Sequence, residues 1–241
     1  MRRIKVAKLL VKKGLVRETG EALRLIEGRR VLIDGAVVLN PESEVLPQAE
    51  ITLLPDQQPV SRASEKLRGA IDEFAVDVEG AICVDLGSST GGFTELMLER
   101  GARRVYAVDT AKGELAWKLR QDERVVVWEG INACAIESFP EEVAFVSIDI
   151  SLVPLRDVLP TVARTVSEGC QVLALIKPQY EVSPEFVPLG GILTDREKQT
   201  EACLTVCAVA EQLGFLVKAM MKSTLPGRGG NQEFLILMNR L

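Results

Sequence analysis

The sequence has no histidine among its 241 residues. That absence excludes Ser-His-Asp and Cys-His catalysis, histidine-ligated zinc and imidazole general-base chemistry. In an enzyme of this composition, lysine and carboxylate must move the protons. Cysteine is sparse: five residues, at 83, 134, 170, 203 and 207, with no C-x-x-C pair. Neither a disulfide framework nor a thiolate metal site is expected, and reduced thiols are the simple reading. Cys203 and Cys207 stand one helical turn apart and read as small core residues. No run approaches the roughly 18 uninterrupted apolar residues of a membrane span. Lys8, Lys12 and Lys13 interrupt the apolar segment that a signal peptide needs. The expectation is a cytoplasmic protein without metal or membrane association.

What is present is ordinary globular material, 47% hydrophobic and 26% charged, enough for one large domain or a large one and a small one. The net charge of −5 is unevenly spread. Residues 1–30 carry ten Lys and Arg against three Glu, a net +7, which leaves −12 on the rest. A basic binding module attached to an acidic body accounts for this, and a solvated lysine-rich helix face is the alternative.

Apolar spacing in the first segment puts Val6, Leu9 and Leu10 on one helical face and Lys5, Lys8 and Lys12 on another. Thr19 is the candidate N-cap of a second helix closed by Gly28. VLIDGAVV then reads as a hairpin, because Asp34-Gly35 between apolar runs favours a type I′ turn, and EITLLP supplies a further strand. Two short basic helices followed by a hairpin resemble the S-four-type RNA-binding domain over residues 1–55. Arg3, Lys8, Arg17, Arg24, Arg29 and Arg30 are the candidate RNA contacts. The polar, proline-containing stretch at 56–61 reads as the linker to a second domain over 62–241.

From Arg62 onward strands and helices alternate. Candidate strands are 81–86, 104–109, 124–129, 144–149, 171–177, 215–221 and 233–239. This order predicts an α/β fold with a doubly wound parallel sheet, and the last two strands, joined by KSTLPGRGGNQ, form a terminal hairpin with an antiparallel strand. The loop VDLGSSTGGFTE follows the first of these strands and opens a helix. Its spacing is G-x-x-x-G-G, neither the dinucleotide fingerprint nor a Walker A loop, which leaves a nucleoside-type ligand. Gly87, Ser88, Ser89, Thr90, Gly91, Gly92 and Phe93 form the candidate binding loop. Asp109 ends the next strand, where a carboxylate accepts from both ribose hydroxyls, with Thr110 beside it. Asp85 is expected to meet a ligand ammonium, which suits S-adenosylmethionine better than a pyrophosphate. A glycine turn that packs helix on sheet without a ligand is the alternative.

SRASEKL, VDLGSSTGGFTE, YAVDTAKGELAWKLR, SIDISLVPL, ALIKPQYE and GNQEFLIL together resemble the TlyA/haemolysin-A-like family, relatives of the FtsJ-type ribose methyltransferases, over essentially the whole chain. The resemblance implies a Rossmann-like methyltransferase sheet with a small N-terminal α+β RNA-binding domain, S-adenosyl-L-methionine as cofactor and ribosomal RNA as partner. It also implies a Lys-Asp-Lys-Glu tetrad at Lys66, Asp149, Lys177 and Glu233, with Asn132 on the adenine side. Methylating a ribose hydroxyl requires removal of its proton, and Lys177 is the candidate base. Pro178 restricts it to extended geometry at the strand end. The chain departs from the family pattern at WEGINACAI, SLVPL and LGGILTD. Two rivals are a non-catalytic RNA-binding protein of ribosome assembly and a membrane-lytic haemolysin, the latter disfavoured by the lack of a long amphipathic helix.

Overall fold

The computed structural model describes residues 3–27, 29–54 and 63–241. The chain divides into two compact units, residues 1–59 and 60–241. The linker expected at 56–61 lies outside the described residues.

The first unit runs β1 (Ile4–Lys5), α1 (Val6–Lys12), α2 (Thr19–Glu27), β2 (Val31–Ile33), β3 (Ala36–Val37), β4 (Glu44–Val45) and β5 (Ile51–Leu53). Val6, Leu9 and Leu10 are buried while Lys8 and Lys12 are exposed, the two faces that the spacing sets. Val6 and Leu10 of α1, Ala22 and Ile26 of α2, and Val31 and Ile33 of β2 share one core. Asp34 and Gly35 take φ of 49° and 82° between the paired Ile33 and Ala36. A two-residue turn with both centres left-handed is the type I′ geometry, which Asp and Gly tolerate at low cost. β5 pairs with β2, and β4 pairs with β1. Thr19 is the first residue of α2 rather than a residue preceding it, and the stop expected at Gly28 lies outside the described residues.

The second unit runs α3 (Ala63–Phe74), β6 (Ile82–Leu86), α4 (Gly92–Glu99), β7 (Arg104–Asp109), α5 (Trp117–Arg120), β8 (Val125–Glu129), β9 (Phe145–Ile148), α6 (Leu155–Thr165), β10 (Gln171–Ile176), α7 (Pro178–Glu181), α8 (Arg196–Gln212), β11 (Phe215–Lys222) and β12 (Phe234–Arg240). Its seven strands form one sheet in the order β11-β12-β10-β9-β6-β7-β8. The five central and distal strands are mutually parallel, and β12 runs antiparallel to both β10 and β11. Parallel strands covered on both faces favour near-continuous apolar runs, which is how VLALI reads and how ICVDL reads apart from Asp85. The edge strand β11 instead alternates, with Phe215 buried and Leu216, Lys218, Met220 and Lys222 exposed.

Alternation also sorts the sheet into two faces. Phe145, Leu173, Leu175, Leu235 and Leu237 pack with Leu67 and Ile71 of α3 and Phe93, Leu96 and Met97 of α4. Val146, Ile148, Val172, Ala174 and Ile176 pack with α6 and α8 through Val158, Leu159, Val162 and Val206. On the three strands β9, β10 and β12, odd-numbered positions therefore face α3 and α4. Phe145 is 1% exposed at the centre of that layer. Phe145→Ala is expected to lower stability by roughly 3–5 kcal/mol in chemical denaturation, and a loss below about 1 kcal/mol would contradict this packing.

Candidate active site

The loop after β6 and the ends of β7, β8 and β9 enclose a cleft of about 330 Å³, lined among others by Gly87, Ser89, Asp109, Thr110, Glu114, Asn132, Asp149 and Ser151. It opens at the carboxyl edge of the parallel strands, where doubly wound sheets take ligands. Gly87 has φ of 88°, and a Cβ there would stand 2.5 Å from the Asp149 carbonyl oxygen. Only glycine lets the loop lie this close to the end of β9. Asp109 is the last residue of β7, and its two oxygens accept from the amides of Ser89 and Ala111, each at 2.8 Å. The Ser89 hydroxyl donates to Glu114 at 3.2 Å, so two carboxylates hold that residue. Asn132 accepts from the Cys134 amide at 3.0 Å, which fixes its side chain on the rim.

The lining residues include three carboxylates, Asp109, Glu114 and Asp149, and no lysine or arginine. Such a wall repels phosphate and accommodates a cationic ligand that offers hydroxyl groups. The volume suits a nucleoside-sized molecule. Glu114 and Ser151 were not candidates from the sequence. Glu114 sits on the β7–α5 connection inside the string YAVDTAKGELAWKLR, and Ser151 lies two residues past Asp149 inside SIDISLVPL, but neither string by itself distinguishes these residues from their neighbours.

Asp85, expected to face the ligand, is fully buried and absent from the cleft wall. Its oxygens accept from Thr94 at 2.7 Å and Ser147 at 3.1 Å. It stands one residue short of the end of β6, beneath the first turn of α4, while Asp109 at the very end of β7 escapes that cover. Ser88, Gly91, Gly92 and Phe93 are likewise buried, and Thr90 is exposed. None of these five lines the cleft. A Cβ at Gly91 would stand 2.2 Å from Leu119 Cδ1, and Phe93 belongs to the core. These residues shape the loop from behind.

The four tetrad positions meet in two ion pairs. Lys177 Nζ lies 2.6 Å from Asp149 Oδ1 and donates to Ser151 Oγ at 2.9 Å. Lys66 Nζ lies 2.5 Å from Glu233 Oε2. Alternation explains the convergence: Asp149, Lys177 and Glu233 continue the odd-numbered face of β9, β10 and β12, and Lys66 adjoins the buried Leu67 on α3, which covers that face. Ile176 pairs with Phe234, so the next residues outward, Lys177 and Glu233, fall opposite each other. Glu233 is seated against Gly227, where a Cβ would stand 2.1 Å from its Oε1. Asp149 alone belongs to both the cleft wall and the ion pairs.

In the first unit Arg3, Lys8, Arg17, Arg24 and Arg29 are exposed. Arg30 is half-buried, its Nε and Nη2 donating to the Leu54 carbonyl at 3.2 and 3.0 Å. Its guanidinium is partly committed to the fold. Among the described residues no cluster of His, Cys, Asp and Glu could hold a metal ion, and no helix is long and apolar enough to cross a membrane.

The family described as FtsJ-like methyltransferase matches residues 59–240, and the S4 domain matches residues 4–51. The 16S/23S rRNA (cytidine-2′-O)-methyltransferase TlyA of Mycobacterium tuberculosis is 39% identical over 239 residues, covering 98% of this chain and 89% of that protein. Hemolysin A of Brachyspira hyodysenteriae is 33% identical, covering 92% of this chain and 94% of its own length. A solved structure of a candidate hemolysin from Streptococcus thermophilus superposes with a TM-score of 0.74 at 36% identity, covering 100% of this chain and 89% of that one.

Burial pushes the Asp85 carboxyl up from 3.8 to about 7, against the hydrogen bonds from Thr94 and Ser147 that favour its charged form. The fold therefore holds a proton that the unfolded chain releases. The resulting stability is complete below pH 3.8 and is lost as pH rises through about 7. Asp85→Asn, which keeps an acceptor for Thr94, is expected to flatten the fall in Tm across this window. Parallel profiles for the two proteins would refute the assignment.

Proposed function

The chain belongs to the FtsJ-like methyltransferase family, in its TlyA branch, and from that premise we propose that it methylates ribose 2′-hydroxyls of ribosomal RNA with S-adenosylmethionine as donor. The observation that carries this reading is Asp149, which lines the cleft and at the same time holds Lys177 Nζ at 2.6 Å. A cofactor in the cleft and a base at its end are thereby adjoining. The donor set fits the cofactor: acids for a net cation, and acceptors at Asp109 and Glu114 for ribose hydroxyls. Asp109, Thr110, Glu114 and Asn132 would hold it along the ribose and adenine side, and Gly87 and Ser89 would lie against it. Bound there, S-adenosylmethionine supplies an electrophilic methyl group.

The chain's own residues supply positioning and proton transfer. After giving its own proton to solvent, Lys177 Nζ takes the proton of the attacking 2′-hydroxyl as a neutral amine, while Asp149 and Ser151 fix the direction of that nitrogen. Lys66 and Glu233 form the second pair beside it and keep the substrate end of the crevice polar without leaving a charge unmatched. The first unit supplies exposed Arg and Lys for phosphates, an attraction that an acidic body does not provide. Five free cysteines fit the reducing cytoplasm where ribosomal RNA resides.

The test is methyl transfer from labelled cofactor to ribosomal subunits by the full chain, with the modified nucleotides mapped by mass spectrometry. Lys177→Ala is expected to reduce transfer by about 10²–10⁴-fold with cofactor affinity retained in calorimetry. Wild-type protein that leaves ribose methylation unchanged would sink the reading. Replacing Arg24 and Arg29 by alanine is expected to lower the slope of log affinity against log salt by about 1 for each residue. An unchanged slope in filter binding would remove them from the RNA face.

A further inference from the structure

Glu181 is a buried carboxylate that the proposed chemistry does not use, 6% exposed and four residues beyond Lys177. Its side chain accepts from the amide of Leu155, the first residue of α6, and lies 3.2 Å from Arg156 Nη1. Arg156 Nη1 also donates to the Glu181 carbonyl oxygen. Pro154, which precedes α6, offers no side-chain cap, so the acid capping that helix comes from 26 residues away. A structural helix cap is normally local, and this one joins two segments that both carry reacting groups.

Those segments are the loop from Asp149 to Pro154 and the turn from Lys177 to Glu181. Lys177 grips the beginning of the loop through Asp149 and Ser151. Glu181 grips its end through Leu155 and Arg156. Between the two grips α7 is a single turn, closed by the Tyr180 amide on the Lys177 carbonyl at 2.8 Å. Pro178 presets its first residue. The loop and the turn thus form a closed circuit with the Asp149–Lys177 pair at one corner and the Glu181–Arg156 pair at the other. A void of about 10 Å³ lined by Ile150, Val153, Leu155, Lys177 and Glu181 lies inside it, too small to absorb a rearrangement.

We propose that Glu181 and Arg156 are positioning residues for methyl transfer: their pairing sets where Lys177 Nζ and Asp149 stand relative to the substrate hydroxyl. Neither touches the reacting atoms. The cofactor wall formed by Asp109, Glu114 and Asn132 lies outside the circuit. Asp149, Ile150, Ser151 and Val153 of the loop line one side of the cleft, so loosening the circuit displaces the base while the Asp109, Glu114 and Asn132 side of the cofactor seat stays in place. Small displacements of a reacting group are costly, about 10²-fold for roughly 1 Å.

The inference rests on the 2′-hydroxyl reading, and the experiment separates the two. Wild type, Lys177→Ala, Glu181→Gln and Arg156→Lys are compared as full chains for kcat and KM on ribosomal subunits, cofactor Kd by calorimetry, and Tm. Glu181→Gln keeps an acceptor for Leu155 and loses the ion pair. It is expected to lower kcat by about 10- to 100-fold, with KM and cofactor Kd within about threefold of wild type. Arg156→Lys, which keeps the charge on a shorter side chain, is expected to fall in between. Inactive wild type overturns the functional reading itself. Active wild type, inactive Lys177→Ala and a Glu181→Gln kcat within about threefold of wild type overturn the positioning role. A loss carried by KM or cofactor Kd overturns it equally. Should Glu181→Gln lack a cooperative thermal transition, Arg156→Lys is judged by the same outcomes.

Discussion

Two lysines and two acids drawn from water along one edge of a sheet persist only as pairs. Removing such ions from solvent costs several kcal/mol each, and a partner at contact distance offsets the penalty. The side chains of Lys177 and Asp149 are 9% and 18% exposed, and those of Lys66 and Glu233 are 12% and 4%. This constraint explains the direction of β12. Five parallel strands end at the carboxyl edge, so a parallel β12 would begin at the opposite one and leave Lys66 with no acid. Run antiparallel, β12 begins beside Lys177 and delivers Glu233 there. α3 must cover the same face, because Lys66 has to arrive from outside the sheet.

The same alternation decided what could be read from the sequence. Strand cores were legible because a parallel sheet writes itself as continuous apolar runs, and all seven strands of the second unit fall within a residue or two of those runs. The Asp34-Gly35 turn was legible because its left-handed pair admits few residue types. β1 and β4, of two residues each, carry no periodicity and were not legible. Asp85 shows a different failure. Its position before the glycine loop suggested a ligand contact, but its parity with Cys83 puts it on the α4 face, where Thr94 awaits it. The acids that line this crevice stand at the last residue of a strand or just past it, as Asp109 and Asp149 do, and Asp85 stands one residue short. Glu181 lay beyond any local reading, since its role depends on a helix start 26 residues upstream.

The chain lacks imidazole, and its candidate site accordingly uses long side chains anchored at their tips. Histidine brings a rigid ring that needs one partner to set its orientation. Lysine brings a flexible stem, and its nitrogen is directional only when several groups hold it. Asp149 and Ser151 supply two of those holds, and the strand geometry before Pro178 supplies the backbone one. A lysine base, as proposed for Lys177, therefore demands more surrounding structure than a histidine base, and Asp149 and Ser151 supply it at this edge.

Charge separation along the chain follows from what each unit must attract. A cleft walled by carboxylates favours a sulfonium cofactor and disfavours phosphate, so it cannot also draw RNA from solution. That attraction has to originate elsewhere in the chain. Residues 1–30, at a net +7, are its proposed source, and the net −5 of the whole averages over the two regions. Had the basic residues been spread evenly, guanidinium groups would have neutralised the cofactor wall and weakened the discrimination between a cation and a phosphate. Concentrating ten of the 29 Lys and Arg in residues 1–30 fits the proposed division between an acidic crevice for the methyl donor and a basic segment for its acceptor.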